Sequence, residues 1–226
     1  MPRLALFLLA LSATLAHANP LTDVAGGTTT YYSNTSSTYS VGGVDQEFTK
    51  GTLGLDFSEK GNDWFYGGVS LGIVFLDAET EPLVADNGVP GYLFGVFGGV
   101  EHGFLEDRLN LNAEGRYSRE WVSGDIGATT DSTSVRTGEG SLRLGLSYRF
   151  ESLQLSAGAY SSNVTGEVTR TGVINGSSSF EDTESSGAYA GLDIKLYGGF
   201  ALGLRAESGA RETLALTFSS GLWRSQ

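Results

Sequence analysis

Residues 109 to 121, LNLNAEGRYSREW, constrain the fold more than any other stretch. Leu109, Leu111, Ala113, Tyr117 and Trp121 fall on odd positions, and Asn110, Asn112, Glu114, Arg116, Ser118 and Glu120 on even ones. A period of two puts successive side chains on opposite faces of an extended strand. In a soluble sheet the apolar face turns to a core; in a barrel closed within a bilayer it turns outward to lipid, and the polar face fills the lumen. The alternation by itself fits both.

The same period recurs in ten segments, at about 37–44, 48–58, 63–76, 90–102, 108–121, 141–150, 153–164, 187–196, 200–207 and 213–222. No sustained helical period occurs, so the chain is read as all-β. From the second segment onward one face is mainly apolar, as with Phe65, Val69, Leu71, Ile73 and Phe75, or Leu142, Leu144, Leu146, Tyr148 and Phe150.

Connections after segments two, four, six and eight are short, whereas those after three, five and seven are long and polar, near 77–89, 122–140 and 165–186. The connections after one and nine are also short, so the sorting is partial. Membrane barrels combine short turns on one side with long loops on the other, and an even strand count returns both chain ends to the same side. Several segments run to ten residues or more, near the nine to eleven that a tilted strand needs to cross a bilayer and beyond the five or six usual in globular sheets. These features favour lipid outside. The expectation is an up-and-down antiparallel transmembrane β-barrel of ten strands, with eight the alternative if the first and last segments fail.

Arg3, the apolar run Leu4 to Leu15, and Ala16-His17-Ala18 form the pattern of a secretory signal peptide. The run is too short to span hydrocarbon. The organisation expected is signal peptide 1–18, polar segment 19–36 and barrel 37–226. Removing the signal changes the formal charge from −12 to 13 − 26 = −13. Such acidity disfavours nucleic acid as a partner, because phosphate binding draws on clustered Lys and Arg. With no cysteine, no disulfide framework holds the fold.

On this architecture, over residues 37 to 222, the chain resembles the small outer-membrane β-barrel proteins of Gram-negative bacteria. The resemblance implies residence in the cell outer membrane, contact with outer-membrane lipid and lipopolysaccharide, and insertion by the barrel assembly machinery. It names no surface ligand. Such barrels commonly end on an aromatic residue, whereas here Trp223 breaks the alternation and Arg224, Ser225 and Gln226 follow it.

After signal removal His102 is the one histidine, placed at the end of the fourth segment beside a short turn. It reads as a turn residue at the periplasmic rim. Outer-membrane proteases of the omptin type use carboxylates with a histidine at the outer rim, and this chain has acids there but no histidine. Lipid A deacylases, similar in size, depend on serine and histidine and fail on the same ground. No catalytic, cofactor-binding or metal residues are assigned. Glu114, Arg116, Glu120, Arg143, Arg149, Asp193, Lys195, Arg205 and Glu207 fall on faces assigned to the lumen. They read as a salt-bridged plug, since narrow lumens are filled by side chains and buried charges must be paired. The competing reading makes them a solute path.

Asp77, Glu79, Glu81 and Asp86 show no calcium-loop spacing and read as solvated external acids. The function expected is that of a non-enzymatic barrel acting in envelope integrity or surface interaction through acidic, Ser/Thr/Gly-rich external loops. A narrow channel for small solutes is the alternative, and an outer-membrane enzyme is a third reading.

One register can be set by parity and charge. Residues opposed in segments five and six must sum to an odd number to share a face. The sum 263 pairs Glu120 with Arg143 and Glu114 with Arg149, whereas 259 sets Arg116 against Arg143, so 263 is the register expected. The two-residue turn Glu151-Ser152 sets Arg149 beside Gln154 and Arg143 beside Tyr160.

Overall fold

The computed structural model describes residues 26–61, 64–78, 85–105, 108–125, 132–172 and 175–220, with backbone only at 26, 78, 85–87 and 125. The signal segment, Glu79, Glu81 and Trp223 lie outside the described residues, and the side chain of Asp86 is among those not described. One antiparallel sheet contains β1 (Gly26–Val41), β2 (Val44–Lys60), β3 (Phe65–Ala78), β4 (Ala85–Phe104), β5 (Leu109–Asp125), β6 (Ser132–Arg149), β7 (Leu153–Thr171), β8 (Gly176–Asp182), β9 (Ser186–Lys195), β10 (Phe200–Gly209) and β11 (Arg211–Ser220). Ten of these close a ring in sequence order with β8 left out, sealed where β11 pairs with β1 from Thr28↔Ser220 to Ser37↔Arg211. The fold is the all-β, ten-stranded antiparallel barrel. The end at which β1 begins and β11 finishes is called inner below, the other outer.

The strands outrun their sequence segments. The first begins at Gly26 rather than at 37, because Thr28, Thr29, Thr30, Tyr31 and Tyr32 favour extended backbone while their polarity on both faces hides the period. Its partner β2 follows a two-residue turn at Gly42 and Gly43, whose φ values of 59° and 84° suit the hairpin twist. The connections read as 122–140 and 165–186 are largely strand as well: β5 and β6 remain paired up to Asp125↔Ser132, and β7 with β8 up to Arg170↔Gly176.

The ring narrows toward its outer end. The hairpin of β10 and β11 stops at Gly209 and Arg211, and beyond that level β8 bridges the gap, pairing with β7 over Thr165↔Glu181 to Arg170↔Gly176 and with β1 over Tyr39↔Asp182 to Val41↔Phe180. The wall is ten strands around at the inner end; at the outer end β1 to β7 plus β8 make an eight-strand crown.

The interior changes character at the same step. Val41, Phe48, Val74, Leu76, Val122, Val135, Val164, Val168 and Phe180 form one buried cluster inside the crown, with Tyr39, Val89 and Leu93 packed on it. Tyr39, Phe48 and Phe180 contact one another at centroid distances of 5.0 to 5.8 Å. The apolar residues of the crown turn inward, the arrangement of a sheet whose outer face is solvated, and on β5 the apolar face passes from outward Trp121 to inward Val122 between adjacent residues. That inversion is why the alternation fades after residue 121.

Below the crown the outside is apolar. Val69, Leu71, Val96, Leu111, Leu142, Leu144, Leu146, Leu155, Leu202, Leu204, Leu214 and Leu216 are all exposed. Aromatic residues edge this zone: Trp64, Phe65, Phe104, Tyr148, Phe150 and Tyr197 at the inner rim, and Tyr32, Tyr92, Tyr117 and Trp121 toward the outer. On β4, Phe104 and Tyr92 lie roughly 40 Å apart along the strand, or roughly 28 Å across at the ~45° tilt of such barrels, close to their apolar band. A continuous apolar belt of this height is far larger than water-soluble monomers expose. The barrel spans a membrane.

Candidate functional site: the lumenal charge network

Strand parity gathers polar residues into the lumen, around a cavity of about 150 Å³ lined by Lys50, Asp56, Arg116, Glu120, Glu139, Arg143, Arg205, Glu207 and Arg211 together with Ser and Thr. Lys50 Nζ donates to Glu120 Oε1 at 2.7 Å, joining β2 to β5 across the interior. Arg116 reaches Asp56 Oδ2 at 2.7 Å and Ser70 Oγ at 3.1 Å, and lies 3.7 Å from Glu114. Tyr66 donates to Glu114 Oε2 at 3.1 Å. Arg143 bonds Glu207, which also accepts from Arg211 Nε at 2.7 Å, and Arg211 pairs with Glu139. The guanidinium of Arg211 lies 5.2 Å from the Tyr160 ring, and that of Arg116 4.7 Å from Phe97.

Each of these charges therefore meets an opposite one. Five cations line the cavity (Lys50, Arg116, Arg143, Arg205, Arg211) against four anions (Asp56, Glu120, Glu139, Glu207), and Glu114 beside Arg116 brings the balance to five and five. Arg211 sits where β11 begins, at the level of the step from ten strands to eight, so its pairing with Glu139 of β6 ties the short hairpin to the wall opposite, while Glu207 of β10 holds it within the hairpin.

The residues read from sequence occupy these positions. Glu114, Arg116, Glu120, Arg143 and Glu207 are in the ion-paired network, and Arg205 lines the cavity. Asp193 is buried toward the inner end, in space that a side chain at Gly203 would fill. Arg149 donates to Gln154 Oε1 at 3.3 Å, and Lys195 is exposed at the inner end of β9. Sequence reasoning missed Lys50, Asp56, Glu139 and Arg211. The first two share the even face of β2, behind Leu53, Leu55 and Phe57, where the period could have shown them; Glu139 and Arg211 lay in segments read as connections.

The register between β5 and β6 corrects the sequence reading. Glu114 stands opposite Arg143, Arg116 opposite Ser141 and Glu120 opposite Thr137, a sum of 257 in each case, not 263. Parity holds, but charge across adjacent strands does not choose the register, because the narrow lumen lets side chains pair across it, as Lys50 does with Glu120. Instead 257 sets Val122 against Val135 in the crown and Leu111 against Leu146 in the belt. The turn register, Arg149↔Gln154 and Arg143↔Tyr160, is as expected. His102 stands at the inner rim and faces outward, its ring 4.6 Å from Phe104.

No family model and no curated protein sequence matches the chain. Among solved structures it is similar to the translocator domain of the autotransporter NalP from Neisseria meningitidis, at 12% identity over 97% of this chain and 95% of that one, with a TM-score of 0.49. It is also similar to the Neisserial surface protein A, at 13% identity over 76% and 97% with a TM-score of 0.40. The attachment invasion locus protein Ail of Yersinia pestis resembles it at 10% over 86% and 96%, with a TM-score of 0.39. The likeness is to outer-membrane β-barrels. The membrane assignment rests on the belt and aromatic edges of this chain, not on these neighbours.

Proposed function

We propose that this chain is a non-conducting, non-enzymatic barrel of the outer membrane, with its inner rim in the periplasm and its crown at the cell surface. It acts in envelope integrity or surface interaction. One observation carries the reading: the apolar core of the crown, with Val74 at 0% exposure and Phe48 at 3%, fills the outer end above a lumen crossed by ion pairs. A solute path would have to cross an apolar plug and break several buried ion pairs, each costly to open. The same pairs keep Asp56, Glu114, Glu120, Glu139 and Glu207 engaged, unlike a carboxylate poised to move protons. Outward Asp45, Glu47 and Glu181 give the crown an acidic, solvated exterior where contacts with other molecules would form.

The test is conductance in a planar bilayer. The folded chain is expected to add no discrete openings over the bare membrane, and stepwise openings would favour the solute-channel alternative.

A further inference from the structure

The outer edge of the belt holds a feature that the plugged lumen does not use. On β6 the outward face is bare at Gly138 and Gly140, between Arg136 above and Leu142 below. The register sets Tyr117, Arg119 and Trp121 of β5 along one side of this gap, and Asn163 and Thr165 of β7 along the other. A Cβ at Gly140 would meet nothing within 4 Å, and one at Gly138 would first meet the Tyr117 hydroxyl at 3.5 Å. The gap is a shallow groove open to the surrounding leaflet.

Two cations stand at its head. Arg119 Nε donates to Tyr117 Oη at 2.9 Å, which orients the guanidinium and uses one of its five N–H donors. Arg136, also exposed, is its diagonal neighbour on the next strand, within roughly 7–8 Å by ordinary sheet geometry. Among the described residues these are the two outward-facing cations of the outer half, on a chain of net charge −12. Glu167, opposite Arg136, accepts a hydrogen bond from Ser177 of β8. Below the groove Leu142, Leu144 and Leu146 continue an apolar track down the wall.

We propose that this groove seats a phosphate-bearing lipid headgroup of the outer leaflet: Arg119 and Arg136 hold the phosphate, Asn163 and Thr165 meet its polar remainder, and the acyl chains lie along the Leu142–Leu146 track. Paired guanidinium groups match phosphate oxygens in geometry and charge. Continuity with the belt selects a lipid over a soluble phosphate compound. The inference rests on the reading of the barrel as an outer-membrane protein with its crown outside.

The experiment titrates the full chain, folded in zwitterionic micelles, with lipid A and with lipid A stripped of phosphate. Wild type is expected to bind the phosphorylated form roughly 30-fold more tightly than does Arg119→Gln/Arg136→Gln, the product of two arginines acting at an anionic surface. The stripped lipid should lose as much, and Lys60→Gln/Arg108→Gln at the inner rim should change nothing. Heat-modifiable gel mobility checks folding, and Arg136→Gln alone serves as the second variant, with a smaller loss expected. Equal binding by the arginine variants, equal binding of the stripped lipid, or displacement by inorganic phosphate at the lipid's own concentration would overturn the proposal. A chain that shows no heat-modifiable form in any micelle or vesicle would instead refute the barrel reading beneath it.

Discussion

Lys50 and Glu120 lie 70 residues apart in sequence and 2.7 Å apart in the lumen, with Glu120 only 5% exposed. Removing one partner of such a pair strands a buried charge, while replacing both with apolar groups does not. Lys50→Met is expected to destabilise the barrel by about 3–5 kcal/mol, and Lys50→Met/Glu120→Leu to recover most of that, read from urea unfolding in lipid vesicles. Additive losses would show that the two are not coupled. Glu120 and Arg143, adjacent under the rejected register, are expected to show coupling near zero. At this scale the sequence reveals which face a charge occupies, because parity is local. It does not reveal the partner, which depends on how strands curve around the lumen.

At the scale of elements, glycine does what the alternation cannot show. Tyr31↔Gly54, Tyr66↔Gly99, Phe97↔Gly68, Tyr160↔Gly187, Tyr189↔Gly158 and Phe180↔Gly166 are directly opposed pairs in which an inward ring lies over a glycine on the next strand. This gives a steric role to part of the chain's large glycine content, 33 of 226 residues. At Gly54 the three nearest atoms to an added Cβ all belong to Tyr31, the closest at 2.1 Å, whereas at Gly158 the nearest is the Leu144 carbonyl oxygen, also at 2.1 Å. Overpacking of this kind costs about 1–3 kcal/mol. Thermal unfolding in micelles should therefore show Gly54→Ala rescued by a second change, Tyr31→Ala, and Gly158→Ala not rescued by Tyr189→Ala. Rescue at both positions, or at neither, would contradict the account of these contacts.

The outer face makes the complementary prediction. Leu144 is 53% exposed in the middle of the belt, and Leu144→Arg is expected to cost about 2–4 kcal/mol when folded into vesicles, the penalty for a cation at the bilayer midplane. No cost would mean that this face does not meet lipid.

For the whole molecule, ten strands, their antiparallel order and the direction of their apolar faces were legible because belt and lumen obey a single period. The crown was not. There the inward face is apolar, so Val122, Val135 and Val168 fall on a face that is polar lower down, and the segments holding them read as loops. Nor does any local pattern show that β8 takes over from β11 as the neighbour of β1; that follows from the shortness of the last hairpin and a pairing between residues about 140 apart.

That handover closes the crown over the lumen, so it carries the claim that the barrel is plugged. The chain has no cysteine of its own, and Ser40 and Glu181 face each other across β1 and β8 at the spacing of opposed residues in a sheet, which a disulfide can bridge. The direct measurement is disulfide formation in Ser40→Cys/Glu181→Cys barrels on intact cells under mild oxidation, seen as a mobility shift that reductant reverses. Efficient crosslinking is predicted, as it is for Ser36→Cys/Glu212→Cys across β1 and β11. A crosslink at the second pair but none at the first would mean that β8 does not close the crown, and would contradict the account.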